Sequence, residues 1–433
     1  MSARTPAFAA IVPNKVWVTT TYFAEGLPYM LVCFLFGAFL TDIGAPESWI
    51  GYANYLSVPW TLKFFWAPAV DLYGTKRRWL LITEGVLVLG FSLLSVLVPS
   101  ASATKMDPVT QAALPGMVAL LFLLAVAAAT HDISIDGFYM EIIADPGEQA
   151  AYTGLRSAAF QIAKIFVRSV LLSLAGWIGW RWGFGFGAMA LGASWLFHIW
   201  VLPRTEPTRD HRTPFSEAMR GFLAAFRSWL AQPHIGLTFA LLVTYKLGDQ
   251  LMFAMNTAFM LREIGVTKAQ MSWIGIVGTG GLTAGSLLSA WLIQRYSWER
   301  AVWPLTLGMN LNIWLYVWLA WSVAQAHGAG LPVPGLSTVA GVYAFEQFAG
   351  GLGSSVLIVF ALRTCLAEYK AAHFAVATAI SSLGSWLLGG KAGEIVTHIG
   401  YTNLYLVSFA VAIPSMILLA VFLRVSRPRV QVS

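Results

Sequence analysis

The stretch "MVALLFLLAVAAATHDISIDGFYMEI" (117–142) decides the class of fold. Its first half is a continuous apolar run, whereas its second half places His131, Asp132 and Asp136 in the same predicted helix. Hydrophobic residues make up 58% of the 433-residue chain and charged residues 11%, and the mean hydropathy is +0.68. A soluble domain carries roughly 25% charged residues. The sequence therefore predicts an integral membrane protein, in which these polar residues border a wet cavity or a partner helix.

Apolar runs long enough to cross a bilayer recur along the whole chain, since a spanning helix takes about 20 residues. Trp favours the membrane–water interface, which fits the 19 Trp of the chain. No cleavable signal peptide is predicted, and Cys33 and Cys365 predict neither a disulfide framework nor a metal site. The twelve predicted spans are 16–40, 48–71, 79–98, 115–138, 151–175, 182–202, 234–259, 271–294, 301–323, 338–362, 372–394 and 402–424.

Lys and Arg concentrate in alternate loops between these spans, as they do in cytoplasmic loops. The basic loops include 76–78 and the long hydrophilic segment 203–230. Both termini and this segment are therefore predicted to be cytoplasmic, and the net charge of +7 is a topology signal rather than a sign of nucleic-acid binding. Residues 215–230 predict an amphipathic helix on the membrane surface.

The two halves of the chain resemble each other. "FLTDIGAPESWIG" (39–51) is similar to "MLREIGVTKAQMSWIG" (260–275), and each stretch follows the first span of its half. Two parallel repeats are typical of a transporter whose substrate site lies between them, near mid-membrane. The prediction is an all-α membrane protein with an N-terminal six-helix bundle at 1–202, a cytoplasmic linker at 203–230 and a C-terminal six-helix bundle at 231–433.

The loop "APAVDLYGTKRR" (67–78) is similar to the GxxxDxxGRR motif of the major facilitator superfamily, with Ala67 in place of the first Gly. Further stretches resemble the AmpG-type permeases, the related acetyl-CoA transporters and siderophore permeases of the RhtX and FptX type. These stretches are "YFAEGLPYML" (22–31), "PWTLKFFWAPAVD" (59–71), "ATHDISIDGFYMEI" (129–142), "EQFAGGLGSSV" (346–356) and "EYKAAHFAVATAISSLG" (368–384).

The resemblance covers nearly the whole chain and implies the major facilitator fold. It further implies proton-driven secondary transport across the inner membrane, with import of a solute such as an anhydro-muropeptide. No cofactor, metal or nucleic acid is expected, and proteins of this fold usually work as monomers. The sequence departs from the family pattern at Glu25, His131 and His373. The resemblance also implies a loop latch formed by Asp71, Arg77 and Arg78.

Charged residues inside the hydrocarbon region face a cavity or a partner, and they often mark function. Glu25 lies about ten residues into the first span, roughly 15 Å deep at 1.5 Å per residue, where desolvation disfavours the charged form of a carboxylate. It either couples protons, contacts substrate or forms a buried pair. Asp132 and Asp136 share a helix face. They either carry protons or form a gate or structural ion pairs with Lys63 or Arg156.

A polar stripe of Gln161, Lys164 and Arg168 is predicted on the fifth span. Cations in a central cavity suit an anionic substrate, because carboxylates and phosphates pair well with Arg. Alternatively, Lys164 and Arg168 only neutralise Glu25 and Asp132.

The second half offers fewer charged positions. Lys246 and Asp249 in the seventh span contact substrate or simply pair, and Glu346 opens a glycine-rich stretch of the tenth span. The proton-coupling candidates are Glu25, Asp132, Asp136 and Glu346. The substrate-binding candidates are Gln161, Lys164, Arg168, Lys246, Asp249, Tyr22 and Tyr29. The gating candidates are Lys63, Asp71, Gly74, Arg77, Arg78 and Arg156.

Four functions remain open from the sequence. The first is a proton-coupled importer of a muropeptide-like or other anionic solute, and the second is an importer of a siderophore or another amphipathic metabolite. The third is an exporter. The fourth, a polytopic membrane enzyme, is disfavoured because no loop carries a nucleophile–base or metal-ligand cluster.

Overall fold

The computed structural model describes residues 13–98, 106–143, 145–204 and 215–425. Helices make up nearly all of these ranges, which contain no β-strand, so the predicted all-α class is confirmed. The α-helices are α1 (Asn14–Met30), α2 (Phe36–Asp42), α3 (Glu47–Tyr52), α4 (Val58–Leu62), α5 (Ala67–Leu72), α6 (Lys76–Leu97), α7 (Pro108–Ile142), α8 (Pro146–Ile165), α9 (Leu172–Ile178), α10 (Trp180–Val201), α11 (Phe215–Leu230), α12 (Ile235–Thr244), α13 (Leu247–Ala258), α14 (Lys268–Tyr296), α15 (Trp298–Leu311), α16 (Ile313–Ala329), α17 (Leu336–Arg363), α18 (Lys370–Leu387) and α19 (Ala392–Val425).

Within the described ranges, eight helical segments are long and apolar enough to cross a membrane. The last of them, Ala372–Val425, has 54 residues and holds two of the predicted spans. The predicted spans 48–71, 234–259 and 301–323 are helical but divided into shorter helices. The number of twelve spans therefore stays a prediction.

Proline and glycine account for several interruptions. Pro59 and Pro68 occupy the first turns of α4 and α5, where a helix tolerates the missing N–H. Pro28 lies inside α1, three residues before the π-helical segment Leu31–Leu35. In α19 the helix breaks at Gly400, whose φ of 75° lies in the left-handed region that glycine adopts at little cost.

The described chain divides into two compact units. Unit 1 comprises the described residues of Met1–Ala45, Leu56–Arg220 and Thr267–Gly275. Unit 2 comprises the described residues of Pro46–Tyr55, Gly221–Val266 and Ile276–Ser433. Each unit therefore includes a short segment from the other half of the sequence.

In unit 1, α1 packs against α7 and α8, and α6 packs against α7 and α10. One core cluster joins Trp17 of α1, Leu80 of α6, Tyr139 of α7 and Val201 of α10. The starts of α1 and α6 and the ends of α7 and α10 thus lie at one end of this unit. Deeper in the bundle from that end, the polar residues of α1, α7 and α8 face one another.

In unit 2, α13 packs against α19, and α15 packs against α17. The predicted amphipathic helix 215–230 is present as α11. From Gly221 onward it belongs to unit 2, where Trp229 is buried in a cluster with Tyr245 and Trp298. Its buried face therefore packs on protein. The linker residues 205–214 lie outside the described residues.

Candidate functional site

The two aspartates of α7 each pair with a cation from another helix of unit 1. Lys63 Nζ lies 2.6 Å from Asp132 Oδ2, and Arg156 Nη2 lies 2.7 Å from Asp136 Oδ1. The Asp132 side chain is 10% exposed. An uncompensated carboxylate in such a place is strongly destabilising, so the ion pair with Lys63 helps to hold the aspartate inside the bundle.

Arg156 is also held by aromatic rings. Its guanidinium carbon lies 4.3 Å from the ring centre of Tyr22 and 4.4 Å from that of Tyr139. The Tyr22 hydroxyl donates a 2.6 Å hydrogen bond to Asp136 Oδ1, the same oxygen that Arg156 contacts. Tyr22, Asp136 and Arg156 thus form one group of mutual contacts. A substitution of any one of them removes a contact of the other two.

Glu25 lies beside this arrangement. It is within hydrogen-bonding reach of Asp132. Two carboxyl groups form a hydrogen bond only when one of them carries a proton. The buried Oε2 atom of Glu25 has no hydrogen-bond partner among the described residues. The geometry therefore provides a place for one proton shared between Glu25 and Asp132, and a carboxyl oxygen open to a further donor.

A cavity of about 480 Å³ opens next to Glu25. It brings together predicted residues of two helices, Glu25 and Tyr22 from α1 and Arg156 and Gln161 from α8, with the Phe160 ring as an apolar wall. The cavity is large enough for a small ligand and combines apolar surface with a few polar groups, as ligand sites do.

The other cations of the predicted stripe lie apart from this cavity. Arg168 belongs to the π-helical segment Phe166–Leu171, and its guanidinium carbon lies 4.9 Å from the centre of the Phe34 ring. Neither Arg168 nor Lys164 lines the cavity beside Glu25. Tyr29 packs edge-to-face against Trp60, with ring centres 5.1 Å apart. Of the three stripe residues, Gln161 is the one that joins the Glu25 cavity.

Unit 2 contains its own buried polar cluster. Lys246 Nζ lies 3.0 Å from Asp249 Oδ2 and also donates to Ser354 Oγ at 3.0 Å. The Gln347 amide donates to Glu346 Oε2 at 2.9 Å. Asp249 Oδ1 and the Tyr316 hydroxyl are buried and have no hydrogen-bond partner in the described part of the chain. The cluster therefore has capacity for water or a ligand. Lys246 and Asp249 pair with each other in it, and their contact with substrate stays a prediction.

The predicted latch lies at the start of α6. The Arg77 side chain donates to the carbonyl oxygen of Ile199 at 2.9 Å and to that of Leu202 at 3.4 Å. Cations at a helix C-terminus satisfy its free carbonyl groups, so Arg77 caps α10. Gly74 has a φ of 75°, and the Arg78 backbone N–H donates to Thr75 Oγ1 at 3.2 Å. The Asp71 side chain lies outside the described residues, so the latch stays a prediction.

Sequence reasoning missed one buried pair, Glu84 of α6 and His198 of α10. Both side chains are 0% exposed, and His198 Nδ1 lies 2.9 Å from Glu84 Oε1. The rule that flagged Glu25, a charged residue well inside a predicted span, applies equally to Glu84. His198 alone gives no such signal, because a neutral histidine is common in a helix core.

The model of the Major Facilitator Superfamily matches residues 18–325. The chain belongs to the major facilitator superfamily. It is a membrane transporter and not an enzyme, and the predicted family is confirmed.

Among its relatives, the anhydromuropeptide permease of Escherichia coli strain K12 is 28% identical over 431 residues, covering 94% of this transporter and 79% of the permease. The crystal structure of a POT family transporter in complex with 5-aminolevulinic acid matches with a TM-score of 0.70 at 10% identity, covering 95% of this chain and 96% of that chain. The crystal structure of a D-xylose-proton symporter matches with a TM-score of 0.67 at 12% identity, covering 93% and 96%. The structural matches confirm the predicted major facilitator fold.

Proposed function

We propose that this transporter imports an anhydro-muropeptide-like solute, an amphipathic sugar–peptide acid, together with protons across the inner membrane. The solute class is supported by the similarity to the anhydromuropeptide permease, which extends over 94% of the chain. The transporter is proposed to act as a monomer with both termini cytoplasmic, as the basic loops of the sequence favour.

The observation that carries the proton coupling is the contact between Glu25 and Asp132. These two carboxyl groups share a proton when they are hydrogen-bonded. Lys63 pairs with Asp132 at 2.6 Å and stabilises its carboxylate, so the proton resides on Glu25. Departure of that proton leaves two carboxylates beside one cation, which is unfavourable in a desolvated place. The pair therefore binds one proton at a time and releases it when its surroundings change.

The cavity beside Glu25 supports the choice of an anionic, amphipathic solute. Arg156 presents a guanidinium that binds carboxylates in a planar, bidentate manner. Because Asp136 already occupies Arg156 at 2.7 Å, a solute carboxylate competes with Asp136 for that cation. Gln161 and the rings of Tyr22 and Phe160 complete the lining with amide and apolar surface, which suits a molecule that has sugar and peptide parts.

The test is uptake by the purified transporter in proteoliposomes under an imposed inward proton gradient. A radiolabelled anhydro-muropeptide and a panel of ferric siderophores are offered separately, with a protonophore as control. We expect the muropeptide to accumulate only while the gradient is present. Accumulation of a siderophore but not of the muropeptide would move the function to the second hypothesis, and gradient-independent equilibration would refute proton coupling.

A further inference from the structure

A second cavity, of about 510 Å³, lies within unit 2. Its wall is formed by Glu47 of α3, by residues of the π-helical segment Phe259–Glu263, by α16 and by α19 on both sides of its break at Gly400. These parts of the chain adjoin loops that carry few basic residues, so they are predicted to lie on the side of the membrane that faces away from the cytoplasm. A molecule outside the cell is then able to reach the cavity without crossing the membrane.

The wall of this cavity carries excess negative charge. Of the described residues that line it, two are acidic, Glu47 and Glu263, and none is lysine or arginine. Glu47 is neutralised by a residue outside the wall, because Arg262 Nη1 lies 2.9 Å from its Oε1 atom, and the Tyr401 hydroxyl donates to Oε2 at 3.2 Å. The ion pair of Glu263 is longer. His327 Nδ1 lies 4.0 Å from Glu263 Oε2, and an imidazole is charged only when both of its nitrogens are protonated. The Glu263 side chain is 39% exposed, so its carboxylate is accessible to a cation from solution.

The backbone adds to this negative charge. In α19 the helix before the break ends at Gly400, where φ is 75° and ψ is 170°. Val396, Thr397 and Ile399, in the last turn before the break, line the cavity. The C-terminal end of a helix carries a partial negative charge, which favours cations near its last turn. The cavity therefore has two features that attract a cation, the Glu263 carboxylate and a helix C-terminus.

The rest of the lining favours an organic cation over a metal ion. The rings of Phe259 and Tyr401 lie 5.1 Å apart, centre to centre, and both line the cavity together with aliphatic side chains such as Val323. Aromatic rings attract ammonium groups, and apolar side chains bury the carbon stem of such a molecule. Ca²⁺ takes about six to eight oxygen ligands and Mg²⁺ keeps several waters, which an apolar wall does not supply. Groups of three or more His, Cys, Asp or Glu side chains suited to a metal are absent from the described residues.

We propose that this cavity is a binding site for an organic ammonium group carried on an apolar or peptidyl stem. Glu263 binds the ammonium, and the rings of Phe259 and Tyr401 pack against the stem. The ammonium belongs either to a separate amine or to the peptide part of the proposed solute, where an amino group is free. The site itself does not depend on the proposed proton coupling, because none of its residues takes part in the Glu25–Asp132 pair.

Binding of a small probe to the purified full-length transporter tests the site without transport. Phenylalaninamide supplies an ammonium, a ring and no carboxylate, and N-acetylphenylalaninamide is the matched probe that lacks the charge. Isothermal titration calorimetry in one detergent gives both affinities. We expect the charged probe to bind at least about tenfold more tightly than the acetylated probe, since the hydrogen bond between two charged groups is lost with the charge. Equal affinities, or no binding of the charged probe, would overturn the proposal.

Two variants assign the binding to this cavity. Glu263→Gln removes the carboxylate from a partly exposed position, and Ala324→Leu, in the lining, narrows the cavity without changing its charge. The matched control is Glu299→Gln, which removes the same charge from a side chain of unit 2 that is 51% exposed and does not line the cavity. We expect each cavity variant to weaken binding of the charged probe by at least about fivefold, and Glu299→Gln to bind it like the parent. Unchanged affinity in Glu263→Gln, or an equal loss in Glu299→Gln, places the probe elsewhere and refutes the site. If Glu263→Gln does not fold, Ala324→Leu takes its place.

Uptake of the anhydro-muropeptide in proteoliposomes distinguishes the two sources of the ammonium. If the solute supplies it, phenylalaninamide competes with uptake and Glu263→Gln raises the KM. If a separate amine supplies it, Glu263→Gln leaves the KM unchanged although it no longer binds the probe. Both outcomes retain the site. If the parent does not transport the muropeptide while the probe still binds, the proposed function fails and the site stands.

Discussion

At the scale of single residues, two ion pairs hold the aspartates of α7, Lys63 with Asp132 and Arg156 with Asp136. Helical periodicity places Asp132 and Asp136 on one face, and in the structure each of them contacts a cation from another helix of unit 1. Which cation each aspartate meets depends on how α7 packs against its neighbours, which no local pattern specifies. Lys63 and Arg156 were named as alternatives, and each takes one aspartate.

The first prediction concerns Lys63. Its removal in Lys63→Met leaves the Asp132 carboxylate, 10% exposed, without its cation. Breaking a buried pair from one side is destabilising by about 3–5 kcal/mol, and the partial exposure of Lys63 reduces this to about 1–3 kcal/mol. The matched control is Lys391→Met, whose partner Glu394 is 34% exposed, because a solvent-exposed pair contributes little to stability.

Thermal unfolding of the purified variants in one detergent measures both effects. We expect a clearly lower midpoint for Lys63→Met and little change for Lys391→Met. Equal midpoints for the two variants would show that Lys63 does not stabilise Asp132.

At the scale of elements, hydropathy predicts the uninterrupted helices well, because an apolar run of span length is a strong signal. The interruptions are less predictable. Pro59 was visible in the sequence, but the π-helical segments Leu31–Leu35 and Phe166–Leu171 have no local sequence signature. They arise where a helix accommodates an extra residue to keep its packing contacts, so they depend on the neighbouring helices.

Close helix contacts provide the second prediction. Gly285 of α14 packs against the backbone of α17, and an added Cβ there would overlap the Phe348 carbonyl oxygen. A backbone carbonyl inside a helix moves only with its helix, so Gly285→Ala should destabilise by about 1–3 kcal/mol, as overpacking does.

Gly280 on the same helix is the control, because an added Cβ there meets nothing within 4 Å. Alanine is the better helix former by about 1 kcal/mol, so Gly280→Ala should be neutral or slightly stabilising. The unfolding midpoints of the two variants test the contact. A Gly285→Ala variant as stable as Gly280→Ala would contradict the close packing of α14 on α17.

At the scale of the whole molecule, the internal repeat predicted the transporter architecture from the sequence, because two similar stretches follow the first span of each half. Which chain segments belong to each unit could not be predicted from the sequence. Segment 46–55 belongs to unit 2 and segment 267–275 to unit 1. Segment 267–275 lies within the second of the two similar stretches, 260–275, and segment 46–55 begins within the first, 39–51. Each segment forms tertiary contacts, including an ion pair, that a comparison of the halves does not show.

One of these pairs gives the third prediction. Lys268 Nζ lies 2.6 Å from Asp42 Oδ2 within unit 1, and the Trp180 indole N–H donates to the same oxygen at 2.7 Å. Asp42→Asn, Lys268→Met and the double variant form a thermodynamic cycle. Residues in contact couple by about 0.5–3 kcal/mol, so the double variant should be less destabilised than the sum of the single variants. Strict additivity would mean that the pair does not anchor segment 267–275.

Glu25 is proposed to carry the coupling proton, and the variant Glu25→Gln removes that proton while keeping the size of the side chain. Gln keeps the size of Glu and can still donate a hydrogen bond to Asp132, but it cannot release a proton. In proteoliposomes loaded with unlabelled anhydro-muropeptide, Glu25→Gln should retain part of the counterflow of labelled solute and lose its accumulation against a gradient. Accumulation equal to that of the parent would show that Glu25 does not carry the coupling proton.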